Sequence, residues 1–383
     1  MISSGWKKAR IGEIAEVKGG KRLPAGYYLQ ATPTHRPYIR VADMRVGGVD
    51  QSDIKYVPEG AISRIQNYRI YIDDIFISVA GTLGIVGRVP ISLDGANLTE
   101  NADRLTNIKC DVAYLMYALQ SNPIQDEIDS IRTVGAQPKL ALSRIRSFEI
   151  LMPSDQAEQS RVSRALSDTD DLIESLERLI SKKQAIKQGV MHELLTGRTR
   201  LPGFDAKWST EKMGSILRVR HGRSQAGIEK SNGRYPILAT GGEIGRTNIP
   251  IYSHPSVLIG RKGTIDRPQY RDEPFWTVDT LFYTEIFPRA VPLYIFYLFQ
   301  TIDWKSMNEA SGVPSLNSSR IESIEVVLPN LEEQKAIAQI LQDVDQEIDT
   351  LERRLESARN IKQGMMQELL SGRTRLSVQE VAP

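Results

Sequence analysis

Residues 166–201 read LSDTDDLIESLERLISKKQAIKQGVMHELLTGRTRL, and residues 341–376 read LQDVDQEIDTLERRLESARNIKQGMMQELLSGRTRL. Twenty of the 36 aligned positions are identical, at a constant offset of 175 residues. The similarity continues upstream, because SRIRSFEILMP at Ser143–Pro153 matches SRIESIEVVLP at Ser319–Pro329. The chain therefore contains two copies of one pattern, in which a long variable segment is followed by a long helical one.

Each repeated segment has the spacing of apolar residues that is typical of a coiled coil. Apolar side chains recur at alternating intervals of three and four residues, which places them on one face of a helix. Thr169, Lys183 and Lys187 fit the first seam poorly, and Lys362 interrupts the second. Because each seam needs a partner, we expect the two helices to pack as an antiparallel pair. The residues predicted to form this packing are Leu166, Ile173, Leu176, Ile180, Leu341, Val344, Ile348, Leu351 and Leu355.

Glycine occurs once inside each helical pattern. Gly189 and Gly364 occupy the same position of the repeat, after a Lys-Gln pair. Glycine in the interior of a helix costs about 1 kcal/mol relative to alanine. We therefore expect either a close approach of another backbone at these positions or a local break in each helix.

The segments that precede the helical repeats differ from them in composition. Residues 1–152 and 202–328 hold most of the prolines, glycines and aromatic residues, and many short β-branched runs. Such segments are typical of mixed α/β domains with short strands and long loops. We predict an α+β fold in which two mixed α/β domains are separated by two long helices packed as an antiparallel coiled coil, with a pseudo-twofold internal repeat. The predicted boundaries are 1–152 for the first domain, 153–201 for the first helix, 202–328 for the second domain, 329–376 for the second helix and 377–383 for a C-terminal tail.

Length and composition exclude several classes of protein. The chain has 383 residues, of which 40% are hydrophobic and 25% charged, and it contains no apolar run of the roughly 18 residues that a membrane helix needs. Without an apolar signal segment, we expect a cytoplasmic protein. One cysteine and four scattered histidines show no metal-ligand spacing, and neither GxxxxGK[ST] nor a strand-linked GxGxxG motif occurs. We therefore expect this chain to have no catalytic residues and to bind no metal or cofactor.

Cationic side chains are concentrated locally, although the formal net charge is only +2. Both globular segments carry the positive balance, and their cations cluster beside glycines. Loops of this kind allow backbone amides and cationic side chains to approach phosphate together. A solvated surface loop is the alternative for any one cluster, and recurrence in both copies makes nucleic-acid binding an equally good interpretation. The candidates are Lys18, Lys21, Arg22, Arg218, Arg220, Arg223, Arg261 and Lys262.

The ends of the helical segments carry a family resemblance. Lys-Gln-Gly followed by Glu-Leu-Leu-[Ser/Thr]-Gly-Arg-Thr-Arg-Leu occurs at Lys187–Leu201 and Lys362–Leu376, and related openings occur at Trp6–Ile14 and Trp208–Ile216. In this arrangement the chain resembles the specificity subunit of a type I restriction-modification enzyme over nearly its whole length. The resemblance implies two target recognition domains, each reading one half of a bipartite, asymmetric site in double-stranded DNA. It also implies that the helices set the gap between the two half-sites and dock two modification (methyltransferase) subunits. Restriction subunits would join the assembly, and S-adenosylmethionine and ATP would be bound by those partners.

Two other interpretations remain at this stage. A coiled-coil adaptor whose two variable domains bind proteins explains the long helices equally well, but it does not explain the paired basic, glycine-rich loops. A stand-alone nuclease needs an acidic metal-binding cluster, which the sequence does not provide. Binding of random duplex DNA across a salt series discriminates the adaptor from a DNA-binding protein, because phosphate contacts make affinity strongly salt-dependent and a flat response would favour the adaptor.

Overall fold

The computed structural model describes residues 4–132 and 138–376 of the chain. These residues form two compact units. The first unit combines the residues up to Ser175 with those from Arg354 onward, and the second unit comprises Leu176–Arg353. The predicted tail, 377–383, lies outside the described residues.

The first unit contains a globular domain of short strands and short helices, followed by the first half of a long helix. The strands are β1 (Trp6–Arg10), β2 (Glu16–Gly19), β3 (Pro37–Ile39), β4 (Met44–Arg45), β5 (Gly48–Val49), β6 (Lys55–Tyr56), β7 (Arg69–Ile70), β8 (Ile75–Ser78), β9 (Val86–Arg88), β10 (Ala96–Leu98), β11 (Ala102–Thr106) and β12 (Glu149–Pro153). The helices are α1 (Ile11–Ile14), α2 (Glu59–Ile65), α3 (Val112–Gln120), α4 (Asn122–Arg132), α5 (Leu142–Ser147) and the long α6 (Gln156–Leu195), which continues into the second unit. Short 3-10 helices lie at Val41–Asp43 and Ile91–Leu93.

The second unit contains the second globular domain and the first part of the second long helix. Its strands are β13 (Ser209–Lys212), β14 (Leu217–His221), β15 (Tyr235–Ala239), β16 (Gly242–Thr247), β17 (Ser256–Gly260), β18 (Gln269–Arg271), β19 (Trp276–Thr277), β20 (Leu281–Ile286) and β21 (Glu325–Leu328). Its helices are α7 (Met213–Ile216), α8 (Pro292–Thr301), α9 (Ser318–Glu322) and the long α10 (Leu331–Leu369), which continues into the first unit. A 3-10 helix lies at Trp304–Met307.

The two domains have the same sheet plan. An antiparallel sheet has the strand order β2-β11-β8-β9 in the first domain and β14-β20-β17-β18 in the second. A mixed sheet, four-stranded in the first domain and three-stranded in the second, contains one parallel pair, β3 with β10 in the first domain and β15 with β19 in the second. The opening strand pairs antiparallel with the strand that precedes the long helix, as β1 with β12 and as β13 with β21. The predicted α+β fold and its internal repeat are therefore confirmed.

One helix in each domain supplies a large part of the main core. Asp111 caps α3 by accepting a hydrogen bond from the amide of Tyr114 at 2.7 Å, whereas Pro292 opens α8 with a backbone angle suited to the first helical turn. Both helices are apolar on most of their surface, because they pack between the antiparallel sheet and the long helices. The side chains that they bury in the cores include Tyr114, Leu115, Leu119, Tyr294, Ile295 and Phe299.

Within each unit the two long helices run antiparallel. In the first unit, Asp170 of α6 pairs with Lys362 of α10 at 2.6 Å. In the second unit, Lys183 and Lys187 of α6 pair with Glu347 and Asp345 of α10 at 2.7 and 2.6 Å. The residue number on α10 falls as the residue number on α6 rises, which shows that the two helices run in opposite directions. All nine predicted seam residues are buried or half-buried.

The lysines that fit the seam poorly join the helices to the domains. Lys362 lies 2.6 Å from Asp170 and over the ring of Tyr117, whose hydroxyl donates a hydrogen bond to the same carboxylate at 2.8 Å. In the second unit Lys187 binds Asp345 in the same way, and that carboxylate accepts a hydrogen bond from a tyrosine of α8 at 2.9 Å. A polar group at a seam position commonly specifies register at some cost in stability. Each lysine therefore specifies the register of the two helices and attaches one domain to them.

The Gly-Arg-Thr-Arg-Leu motif closes each long helix. Gly197 has a φ of +68°, which ends α6 in the left-handed conformation that favours glycine. Arg200 then binds the fully buried Glu333 through two hydrogen bonds of 2.6 and 2.8 Å, and the indole of Trp208 donates to the same carboxylate at 3.2 Å. The first unit repeats this arrangement, and its members are Gly372, Arg375, Glu158 and Trp6. The motif thus ties the end of one helix to the start of the other and to the opening strand of a domain.

The two helical glycines do not have the role that the sequence suggested. Both α6 and α10 are continuous through Gly189 and Gly364, so neither helix is broken there. A β-carbon at either position would have no atom within 4 Å beyond the helix itself among the described residues, so no backbone approaches closely. Both expectations for these glycines are therefore wrong.

Candidate nucleic-acid interface

Four segments of the first domain meet at one place, which we call the first junction. It consists of residues 19–22 after β2, residues 79–80 after β8, residues 98–103 between β10 and β11, and residues 139–142 before α5. The amide of Lys21 donates to the carbonyl of Leu98 at 2.8 Å, and the amide of Val79 donates to Asn101 at 2.8 Å. The amide of Leu140 in turn donates to the carbonyl of Val79 at 3.0 Å.

The second domain has the same junction, formed by residues 221–223, 260–263, 277–282 and 315–316. The amide of Arg223 donates to Thr277 at 2.8 Å, the amide of Arg261 donates to Thr280 at 2.8 Å, and the amide of Leu316 donates to the carbonyl of Arg261 at 2.9 Å. These bonds match those of the first domain one for one. The repeat therefore extends to loops whose sequences differ almost completely.

The structure brings together candidates that are distant in the sequence. Lys21 and Arg22 lie at the first junction, whereas Arg223, Arg261 and Lys262 meet at the second. Arg22 has a 75% exposed side chain and lies 3.1 Å from the carboxylate of Glu100, which is also at the junction. Lys21 lies over the ring of Tyr68.

The other three candidates lie on strands and have acidic neighbours. Lys18 on β2 lies 2.6 Å from Glu16, and Arg220 on β14 lies 2.8 Å from Glu285. Arg218 has Glu322 at 3.8 Å. About half of each of these cationic side chains is exposed. Their charge is partly neutralised within the protein, which weakens the case for phosphate binding at these three positions.

The glycines at the junctions serve packing. A β-carbon on Gly20 would overlap the carbonyl oxygen of Thr99, and a β-carbon on Gly222 would overlap that of Val278. The amides of Gly20, Lys21 and the second junction's cations already donate to carbonyl groups of the protein. At Gly20, Lys21, Arg223, Arg261 and Lys262 the backbone amides are therefore not free for phosphate, so contact at these positions has to come from side chains.

A buried carboxylate lines a cavity at the first junction, and the sequence analysis missed it. The cavity has a volume of about 630 Å³, and its walls include Lys21, Arg22, Glu100, Asp103 and Lys139. Asp103 is 5% exposed, and its Oδ2 atom accepts no hydrogen bond from any residue that the structure describes. Burial raises the pKa of this carboxyl to about 6, although the nearby charges of Lys139 and Arg146 act in the opposite direction.

The second junction has a different chemistry at the matching positions. Asp103 of β11 lies opposite Gly19 of β2, and Phe282 of β20 lies opposite His221 of β14. Phe282 is buried and contacts the ring of His221 edge-on, with ring centroids 4.9 Å apart. The sequence gives no signal for this difference, because the strands become comparable only when their sheet register is known.

The raised pKa of Asp103 predicts a dependence of stability on pH. The folded state binds this proton more tightly than the unfolded chain, whose carboxyl titrates near 3.8. The stabilisation is therefore complete below pH 3.8 and is lost as the pH rises through 6, a change of up to about 3 kcal/mol. We expect Asp103→Asn to gain thermal stability relative to the unsubstituted protein between pH 4.5 and 7.5. A difference in melting temperature that stays constant over this range would contradict the assignment.

Among residues 4–132 and 138–376, no group of three or more His, Cys, Asp or Glu side chains is arranged to hold a metal ion. Asp266, an acidic residue of the second domain, forms an ion pair with Lys305 at 2.9 Å. In this part of the chain, no helix is sufficiently long and apolar to cross a membrane.

Comparison with known proteins agrees with the repeated architecture. A family model described as the type I restriction modification DNA specificity domain matches residues 3–187 and 206–359. The chain is 24% identical over 375 residues to a putative type I restriction enzyme MjaX specificity subunit from Methanocaldococcus jannaschii, and the match covers 89% of this chain and 87% of that protein.

Two solved structures are similar in fold. The S subunit of a type I restriction-modification system from M. genitalium superposes with a TM-score of 0.68 at 18% identity, over 97% of both chains. A chain from a structure that addresses complex assembly and conformational transition of the type I R-M system gives a TM-score of 0.58 at 15% identity, over 98% of this chain and all of that one. At these identities the likeness establishes the fold alone.

Proposed function

Because this chain belongs to the DNA specificity subunits of type I restriction-modification systems, we propose that each of its domains reads one half of an asymmetric, bipartite DNA site through its junction. The observation that supports this proposal is the recurrence of one junction in both domains with unlike side chains. One backbone frame with different polar groups is suited to reading different base sequences. The chain provides specificity and not catalysis, as its family does, and the alternative of a protein-binding adaptor is not favoured.

Exposed cations at each junction are suited to phosphate contacts. Lys21 and Arg22 in the first domain, and Arg223 and Lys262 in the second, are exposed. Phosphate contacts give an affinity that falls steeply with salt and that does not depend on sequence. Reading of base edges then rests on polar groups deeper in each junction, where the two domains differ.

The long helices are proposed to dock two modification subunits. Leu172, Leu179 and Ile186 on α6 and Ile361 on α10 are each between 39% and 55% exposed. Ile186 and Ile361 occupy the same position of the repeat, so one exposed apolar side chain recurs in both copies, whereas Leu172 and Leu179 correspond to Glu347 and Arg354. Exposed apolar side chains in such a row commonly mark a protein interface. Restriction subunits would join this core, and S-adenosylmethionine and ATP would bind to the partner subunits.

Exchange of one domain tests independent reading. We expect a chain in which residues 202–328 are replaced by the matching segment of another family member to direct methylation to a site with one new half and one old half. The physical reason is that each junction is built within a single domain. Methylome sequencing of a host that expresses this chain with its modification subunits measures the outcome. A change in both halves would contradict the proposal, and the reciprocal exchange of residues 1–152 is the matched control.

Lengthening of both helices tests their role in setting the gap. Insertion of four residues after Ser175 and four after Arg353 adds about one turn, or about 6 Å, to each helix. That length is close to two base pairs of B-form DNA. We expect the gap in the methylated motif to lengthen by one or two base pairs while both half-sites stay the same. An unchanged gap would contradict this role, and an insertion in α6 alone should abolish modification because it shifts the helix register.

A further inference from the structure

The cavity at the first junction carries an inference that rests on the proposed function and makes it more specific. We propose that Asp103 determines specificity in the first domain by accepting a hydrogen bond from the N4 amino group of a cytosine. Three observations support this assignment: the burial of the carboxylate, its unpaired oxygen and the cations that surround the cavity. The second domain, which has a phenylalanine at the matching position, lacks this acceptor.

The environment of Asp103 favours an external hydrogen-bond donor. A buried polar atom without a partner costs free energy, so each such atom calls for an explanation, such as a functional role or a bound water or ion. The Oδ2 atom of Asp103 accepts no hydrogen bond from the described residues, and the carboxylate lines the cavity of about 630 Å³. Gly19, which lies opposite Asp103 on β2, adds no side chain to the cavity. The unpaired Oδ2 atom is itself shielded from solvent, so a donor that enters the cavity reaches this acceptor when the carboxylate rotates toward it.

The cations at the cavity point to nucleic acid as the source of the donor. Lys21, Arg22 and Lys139 line the cavity and are exposed. These cations attract phosphate, and phosphate contacts fix the position of a protein on the duplex without reading its sequence. A carboxylate among them cannot bind phosphate, because like charges repel. It is instead suited to a base edge that presents a donor.

Glu100 of the same cavity wall is paired with Arg22 at 3.1 Å, which leaves Asp103 as the carboxylate with an unpaired oxygen, and such a carboxylate favours cytosine among the bases. In the major groove cytosine presents its N4 donor, whereas adenine presents an N6 donor beside the N7 acceptor. An ionised carboxylate accepts but does not donate, so N7 gains nothing from it and repels it. An amide in the same place offers both a donor and an acceptor, which is the pattern that adenine matches. Replacement of Asp103 by asparagine should therefore change which base is preferred.

Asp103→Asn is the variant that tests the proposal. It is nearly isosteric and removes an unpaired buried charge, so the fold should be retained. We expect the methylome of the variant complex to show one altered position, where cytosine is replaced by adenine or becomes degenerate. That position should lie in the half-site that remains when residues 202–328 are exchanged. Asp73→Asn, at an exposed position of the same domain, is the matched control and should leave the motif unchanged.

Competition binding with duplexes that carry each of the four base pairs at this position provides a second measurement. The unsubstituted complex should prefer the C·G pair by about 5- to 150-fold, which corresponds to one good base contact. In Asp103→Asn that preference should fall to within about 3-fold. Loss of all DNA binding by a variant of normal melting temperature would contradict the proposal, because the phosphate contacts of Lys21, Arg22 and Lys139 would remain.

The outcomes separate this inference from the proposed function. If the unsubstituted complex methylates no bipartite motif, the proposed function fails. If it does methylate one, and the first domain's half-site contains no C·G pair or is unchanged in Asp103→Asn, only the assignment of Asp103 is overturned. An altered base in the other half-site would also overturn it.

Discussion

Gly222→Ala is expected to destabilise the second unit by about 3 kcal/mol or more. A β-carbon at this position would overlap the carbonyl oxygen of Val278, which belongs to the backbone and cannot rotate away. The neighbouring amide of Arg223 also donates to the carbonyl of Thr277 at 2.8 Å, so the chain cannot move out without loss of that bond. The substitution should therefore push apart the segments that form the second junction and displace Arg223.

Calorimetry of the full chain checks this expectation, because the loss of stability should lower the melting temperature of the second unit's transition. Gly189→Ala is the matched control, because a β-carbon there meets no described atom within 4 Å outside its helix. In the control, alanine should stabilise the protein by about 1 kcal/mol, since it removes the cost of glycine in a helix interior. Equal melting temperatures for the two variants would show that the close approach at Gly222 is not a constraint.

Arg200→Met is expected to cost about 3 to 5 kcal/mol, because it leaves a buried charge without its partner. Glu333 is fully buried and accepts two hydrogen bonds from Arg200, at 2.6 and 2.8 Å. After the substitution, the indole of Trp208 at 3.2 Å remains as a donor to this carboxylate. One neutral donor does not replace a bidentate guanidinium.

A double variant separates the charge from the packing. Arg200→Met combined with Glu333→Gln should recover much of the loss, since an amide is far less costly to bury than an unpaired carboxylate. The matched control is Lys335→Met, which breaks an exposed ion pair with Glu332 and should cost less than about 1 kcal/mol. Urea unfolding of the four proteins measures the differences. A double variant that is no more stable than Arg200→Met would contradict this account of Glu333.

Sequence reasoning was strongest for the long helices. Their apolar spacing predicted one continuous apolar face on each helix, which packs against the other helix. All nine predicted seam residues are buried or half-buried. The same reasoning counted Lys187 and Lys362 as weak positions in the seam. It could not identify their partners, because Tyr117 and Asp170 are distant from Lys362 in the sequence. A periodic pattern records which face of a helix is apolar, but not which polar groups meet there.

Sequence reasoning was weaker for the candidate site. Glycine-flanked cations marked both junctions, and the structure brings Arg223, Arg261 and Lys262 together at one of them. The glycines themselves were misinterpreted, since Gly20 and Gly222 permit a close crossing of backbones. The backbone amides near them are already used within the protein. Local sequence does not reveal such crossings, because they depend on segments far along the chain.

The sequence by itself determined the repeat, the α+β fold class, the pairing of two long helices and the family. The first three follow from periodicity or from similar repeated segments, and the family follows from the resemblance that the repeated motifs carry; all are properties of residues close together in the chain. Only the tertiary structure decided that Asp103 is buried beside three cations and that Phe282 occupies its place in the second domain. Burial and unpaired polar atoms arise from the packing of segments separated by tens of residues. For that reason, the chemistry that distinguishes the two domains became visible only in the folded chain.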